Sequence, residues 1–183
     1  MTSTFAPGTP FPIELSATPA GLTRIRILLK ENNTEKHTPI PGDQPSQDIL
    51  ALAHQQLVEY FAGQRQSFDL PLAPAGTPFQ QQCWQQLQRI PFGTTISYAE
   101  LAQRVGNPKA CRAVGAANGR NPLPIVIPCH RVIGSSGKLH GFAYGLDVKR
   151  LLIDLEIAAS RSSGDAGCPP TDTESRQMSI FNT

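Results

Sequence analysis

The chain has 183 residues, enough for one or two small domains, with 39% hydrophobic and 16% charged residues and a formal net charge of +2. No apolar run approaches the roughly 20 residues needed to span a bilayer, and residues 1–12 lack the basic-then-apolar pattern of a secretory signal, so a soluble cytoplasmic protein is expected. The charge is uneven: residues 1–78 carry five Lys/Arg against seven Asp/Glu, residues 79–158 nine against four, and residues 159–183 two against three. The middle segment is the candidate surface for a polyanion, although a solvated basic face has the same signature.

Residues 1–12 are rich in Pro, Gly and Thr and predict an irregular arm. Residues 21–29 alternate apolar and charged side chains (Leu22, Arg24, Ile25, Arg26, Ile27) and predict a strand. Residues 31–47 are polar with repeated Pro and predict a long loop. Residues 48–61 place Ile49, Leu52, Ala53, Gln56, Leu57 and Tyr60 at helical spacing, with Asp48 as N-cap and Gly63 as stop. His54 lies on that helix in a structural or surface role. The Pro-rich residues 70–77 predict a linker.

The second half has clearer punctuation. Phe79, Cys83, Trp84, Leu87 and Ile90 share one helical face over residues 78–90, and Thr77 followed by Pro78 suits a helix start. Residues 97–105 predict a short helix opened by a Ser97/Glu100 capping box and closed by Gly106. Residues 109–118 predict a helix of small side chains. Two short helices across a turn have the spacing of a helix-turn-helix. Residues 121–133, with three prolines, predict an extended apolar segment. Residues 147–157 predict the last helix, and from residue 158 the composition turns to that of a disordered tail. No internal repeat is present.

Four cysteines stand at 83, 111, 129 and 168, without a CxxC pair or zinc-ligand spacing, and free thiols are expected in a reducing compartment. Cys83 and Cys111 predict core thiols on helices. Cys129 is followed directly by His130, and a thiolate nucleophile is favoured by a neighbouring base or positive charge. Adjacency in sequence does not guarantee contact, because successive side chains of a strand point to opposite faces. A catalytic thiol and a buried structural cysteine both remain open on this pattern.

The run Ile127-Pro128-Cys129-His130-Arg131-Val132 resembles the active-site motif of the O6-alkylguanine-DNA alkyltransferases. Residues 77–84, 90–98 and 107–110, Arg112-Ala113-Val114-Gly115, and Asn121-Pro122 resemble the same family in order and spacing, so the likeness covers roughly residues 77–157. It implies an N-terminal α/β domain with a small antiparallel sheet (residues 1–76), a mostly helical C-terminal domain with a winged helix-turn-helix (77–158), and a tail (159–183). The implied activity is single-turnover transfer of an alkyl group from O6-alkylguanine, and also O4-alkylthymine, in duplex DNA to a cysteine, without a cofactor.

The resemblance also implies roles. Cys129 is the acceptor, His130 takes its proton through a water, and Glu156 orients the histidine. Tyr98 donates to the departing guanine, and Asn121 braces the turn that carries the nucleophile. Arg112 enters the base stack through the minor groove, and Ala113 and Gly115 allow its helix to approach. Val132, Ser135, Phe142 and Ala143, with Gly141 and Gly145, form the pocket wall. Phe142 replaces the family's usual Tyr, His140 stands where small residues are common, and Ala143 replaces a hydroxyl of some relatives. Some relatives hold zinc in the first domain; none is expected here, because residues 1–76 contain no cysteine. A monomer is expected. In the tail, Gln177-Met178-Ser179-Ile180-Phe181 resembles the peptide by which bacterial repair proteins dock on the sliding clamp. Three other classes stay open at this stage: a damage-recognition module, a cysteine hydrolase, and a helix-turn-helix regulator.

Overall fold

The computed structural model describes residues 2–5, 8–28 and 43–164. β1 (Thr2–Phe5), β2 (Ile13–Thr18) and β3 (Gly21–Ile27) form an antiparallel sheet in that order. Ile13, Leu15 and Ala17 pair with Ile27, Ile25 and Leu22, and all six side chains are buried. Period-two alternation puts them on one face. Across that face packs α1 (Gln44–Phe61), which buries Leu50, Ala53, Leu57 and Tyr60.

Several expectations are corrected here. Residues 2–5 of the expected irregular arm are a strand, paired through Thr4↔Leu15 and its neighbours. β2 was not expected at all. α1 begins before residue 48: Asp43 is the N-cap, its carboxylate accepting from Ser46 N–H, while Asp48 is exposed and accepts from Gln44. Leu52 is 39% exposed and Leu50 takes the inward place. The expected loop at 31–47 lies mostly outside the described residues.

Residues 70–77, expected as a linker, run along β3. Leu22 N–H donates to Pro71 O at 2.7 Å, and Ala73 N–H to Leu22 O at 2.8 Å. Gly21 permits this approach: at φ 148° a Cβ would stand 2.6 Å from Pro71 O.

α2 (Pro78–Gln88) starts at Thr77 with a complete capping box to Gln80. β4 (Ile96–Ser97) leads into α3 (Tyr98–Arg104), whose N-cap Ser97 accepts from Glu100 N–H. The Glu100 carboxylate pairs with Arg104 at 2.6 Å instead of completing a box. α4 (Cys111–Gly119) packs on α3 and α2, and Trp84 Nε1–H donates to Ala117 O at 3.0 Å. Cys83 is buried, but Cys111 is only partly buried at the start of α4, against its expected place in the core.

The segment expected to be extended, 121–133, is instead a set of turns. Ile127 N–H reaches back to Leu123 O, Cys129–Arg131 is one 3-10 turn, and only β5 (Val132–Ile133) is extended, pairing parallel with β4. α5 (Leu146–Gly164) runs past residue 158, where the tail was expected to begin. Ala158 and Ala159 are good helix formers, so the compositional break does not end the helix. The two halves join through Ile25 N–H to Pro122 O (2.8 Å) and Tyr144 O–H to Ile25 O (3.3 Å). Among the described residues no helix is long and apolar enough to cross a membrane.

Candidate active site around Cys129

The turn that carries Cys129 is held from both sides. Asn121 accepts from Leu123 N–H at 3.0 Å through Oδ1 and donates to Ile127 O at 2.7 Å through Nδ2. Asn118, from α4, donates to Cys129 O at 3.3 Å. Between these braces Ile125 holds φ at 75°, a conformation uncommon and costly for a β-branched residue. It persists because the surrounding bonds fix the turn. The 3-10 turn then presents Cys129 and His130 together inside the protein, 5% and 0% exposed.

Burial pushes the Cys129 thiol up to about 11. Hydrogen bonds from Asn121 and from the backbone of Cys129 and His130, and the charge of Lys149, act against that rise without cancelling it. The resting group is therefore a thiol, and its use as a nucleophile needs a base. Burial lowers His130 below its ordinary value and outweighs the opposing pull of Glu156, so the imidazole is neutral at pH 7. Its Nε2 lies 2.8 Å from Glu156 Oε1. A carboxylate there assigns the ring proton to Nε2 and leaves Nδ1 as the lone-pair nitrogen. Nδ1 is buried and has no hydrogen-bond partner.

Glu156 is the hub of the site. Oε1 accepts from His130 Nε2, Arg131 Nη2 and Tyr60 O–H, each at 2.8 Å; Oε2 accepts from Arg131 Nε at 2.8 Å and from Gly93 N–H at 3.0 Å. Burial alone raises its carboxyl, but bonds to His130 and Arg131 overcome this and hold it at about 2. It is ionised at all ordinary pH values.

The remaining expected residues fall in two groups. Tyr98 opens α3, half-buried, with O–H donating to His140 O at 3.3 Å. A Cβ on Gly115 would lie 3.9 Å from the Tyr98 ring, so α4 passes beside it. Arg112 and Ala113 are on the exposed face of α4, opposite buried Val114, Ala117 and Asn118. Val132 is buried and its carbonyl takes Lys149. Phe142 packs edge-on against Tyr144 at 5.8 Å. Ala143 is exposed beside it, and Ser135 is exposed in the turn closed by Gly134 N–H to Lys138 O, outside the hydrogen-bonded cluster.

Four side chains of the site, those of Tyr60, Asn118, Arg131 and Lys149, and the backbone N–H of Gly93 were given no role from the sequence. Lys149 is fully buried; its ammonium donates to Val132 O and His140 O, both at 2.7 Å, and lies 5.9 Å from the Tyr98 ring centre. Burial lowers it to about 8. A signal for it existed, since Lys149 and Glu156 are seven apart and so share the helical face of Leu152. His54 is partly buried on α1. Among the described residues no group of His, Cys, Asp and Glu is arranged to hold a metal. Cys168 and residues 177–181 lie outside the described residues.

The chain is similar in sequence and in fold to known proteins. Residues 78–158 match the family described as 6-O-methylguanine DNA methyltransferase, DNA binding domain, and residues 11–74 match its ribonuclease-like domain. The chain is 46% identical to a methylated-DNA–protein-cysteine methyltransferase of Methanosarcina acetivorans, over 79% of this chain and 91% of that one. It is 52% identical to the constitutive enzyme of that name from Bacillus subtilis, over 69% and 72%. The crystal structure of Mycobacterium tuberculosis OGT in complex with DNA superposes with a TM-score of 0.70 at 45% identity, covering 81% of this chain and 88% of that one.

Proposed function

The chain belongs to the 6-O-methylguanine DNA methyltransferase family, which repairs DNA by moving an alkyl group from a base to a cysteine of the protein, and we propose that Cys129 is that cysteine and reacts once per molecule. The observation that carries this reading is the buried Cys129–His130–Glu156 cluster. It offers a protonated thiol, a neutral imidazole with a free lone pair at Nδ1, and a carboxylate fixed behind the ring.

His130 takes the thiol proton at Nδ1 through a bridging water, and Glu156 stabilises the imidazolium that forms. Lys149 favours the thiolate by charge. The sulfur attacks the alkyl carbon of O6-alkylguanine, or of O4-alkylthymine. The carbon–oxygen bond breaks, its electron pair passes to the base, and Tyr98 supplies a hydrogen bond or proton to the leaving base. A thioether results, and the stability of its carbon–sulfur bond makes the transfer a single turnover. In this reading Val132, Ser135, Phe142 and Ala143 form the pocket wall. Residues 77–158 carry the chemistry on a winged helix-turn-helix, and residues 1–76 support it. The reducing cytoplasm suits a reaction that needs a free thiol.

The target base is inside a duplex and must be extruded. Arg112, exposed on α4, fills the vacated place, while Ala113 and Gly115 let the helix come close. Arg112→Ala is expected to slow repair of duplex lesions by roughly 10- to 100-fold, the loss of about 1–3 kcal/mol of stacking support. Transfer from the free alkylated base should change less than about twofold. Equal losses on both substrates would remove Arg112 from base extrusion.

The main test is intact mass after incubation with a duplex containing one O6-methylguanine. The protein should gain one methyl group, saturate at one per molecule, and carry the methyl on the peptide of Cys129. Tight lesion binding without mass gain would favour a damage-recognition module instead. The sequence Gln177-Met178-Ser179-Ile180-Phe181 supports a separate proposal, docking on a sliding clamp. Clamp retention unaffected by Gln177→Ala with Phe181→Ala would overturn it.

A further inference from the structure

We infer that Tyr60, contributed by the N-terminal half, is a positioning residue for alkyl transfer: its hydroxyl completes the shell of Glu156 and sets how strongly that carboxylate holds His130. The inference rests on the relay proposed above and adds a role for the first 76 residues, which otherwise only support the fold.

Tyr60 is fully buried near the end of α1, and its hydroxyl donates at 2.8 Å to Oε1 of Glu156, the same oxygen that His130 meets. The ring has little freedom to leave. It is edge-on to Phe61 at 5.3 Å and to Phe92 at 6.1 Å, and tilted on Phe68 at 5.5 Å. A buried tyrosine needs an acceptor for its hydroxyl. Here the acceptor is the carboxylate behind the proposed base, reached across 96 positions of sequence.

Each donor on a carboxylate withdraws electron density and so weakens its attraction for a neighbouring imidazolium. The charged and titratable groups facing His130 are Glu156 and Lys149 from α5 and Arg131 from its own turn, with Cys129 adjacent. Tyr60 acts on His130 only through Glu156. With its hydroxyl in place the imidazole stays neutral, with Nδ1 ready to accept a proton. With the hydroxyl removed, Glu156 presents more negative charge to His130 and favours the protonated ring, which cannot act as a base. Tyr60 itself forms and breaks no covalent bond in the transfer.

The experiment uses the full chain with Tyr60→Phe, which keeps the ring and deletes one hydroxyl. Phe61→Leu serves as a packing control that leaves the hydroxyl in place, and Cys129→Ser as a chemistry control. Single-turnover methyl transfer from an O6-methylguanine duplex is followed between about pH 5 and pH 8. The ring resonances of His130 are titrated in parallel, and melting temperatures are recorded. In Tyr60→Phe the acidic limb of the rate profile and the His130 titration should both move up by about half a pH unit, so that transfer on the limb falls about threefold. Phe61→Leu should lose melting temperature with an unmoved limb.

If Tyr60→Phe keeps the wild-type limb and His130 titration while Cys129→Ser is inert, the inference is overturned and the relay stands. If Cys129→Ser still gains the methyl group, the relay reading fails and this inference with it.

Discussion

A Cys129→Ser protein, incubated with a duplex containing one O6-methylguanine, is expected to gain no methyl group on a timescale that saturates the native chain. The substitution exchanges sulfur for oxygen and leaves in place the backbone braces of the turn, Asn118 to Cys129 O and Asn121 to Ile127 O. Burial already holds the thiol at about 11, so even the sulfur needs a base to take its proton. A serine hydroxyl is far less acidic and its oxygen a poorer nucleophile, so transfer should fall by on the order of 10³ or more. Binding to the lesion should persist, because the exposed face of α4 is unchanged. A serine variant that methylates at a comparable rate would move the acceptor to another residue, with Cys83 and Cys111 to be tested next.

The second large effect is expected at Glu156. Glu156→Gln keeps the shape but removes the charge that five donors face. Arg131, still bonded to Ile90 O, would then be a buried cation without an anionic partner, and stability should drop by roughly 3–5 kcal/mol. For a protein of this size that corresponds to a melting temperature lower by roughly 10 °C. Alkyl transfer should fall as well, because His130 loses both its orientation and the stabilisation of its protonated form.

Glu156 also ties stability to pH. Its carboxyl is depressed to about 2, so its contribution is fully present above the ordinary 4.5 and is lost as pH falls through about 2. His130 acts in the same sense. Its folded value lies below 6.5, so the unfolded chain binds a proton first, and stability declines from 6.5 downward. Denaturation measured against pH should show the wild type losing stability through both ranges. Glu156→Gln should lose the step between 4.5 and 2 while keeping the one that begins at 6.5. An unchanged lower step in the variant would mean that other carboxylates govern acid unfolding.

The sequence was most legible where chemistry and punctuation are local. Thr77-Pro78, Ser97 and Gly106 marked helix ends because capping acts over three or four residues. Cys129 and His130 are adjacent in the chain and belong to one turn. β2 was missed although Ile13, Leu15 and Ala17 alternate with Glu14 and Ser16; the Pro- and Gly-rich residues before it hid a short strand. The turns of residues 121–133 were read as extended because prolines and apolar side chains suit both forms. The choice is made by Asn118 and Asn121 reaching across to carbonyls at 129 and 127, which spacing cannot reveal. Tyr60, Arg131 and Lys149 look like an ordinary core aromatic and two surface cations until the fold closes. The roles of Tyr60 and Arg131 come from long-range contacts that no local pattern encodes, whereas Lys149 has one local sign, its place on the helical face of Leu152 and Glu156.

The way residues 70–77 lie against β3 has a consequence for how the molecule yields. A free linker would let two halves swing and melt separately. Here the connecting segment is bonded into the first half's sheet at Leu22, Pro71 and Ala73, while Tyr60 from that half holds the carboxylate of the other. Pulling the halves apart strips the buried Glu156 carboxylate of its Tyr60 donor at the same moment that it breaks the bonds of Ile25 to Pro122 and Tyr144. Two regions distinct in composition therefore form one cooperative unit, and heat should dissolve them in a single transition.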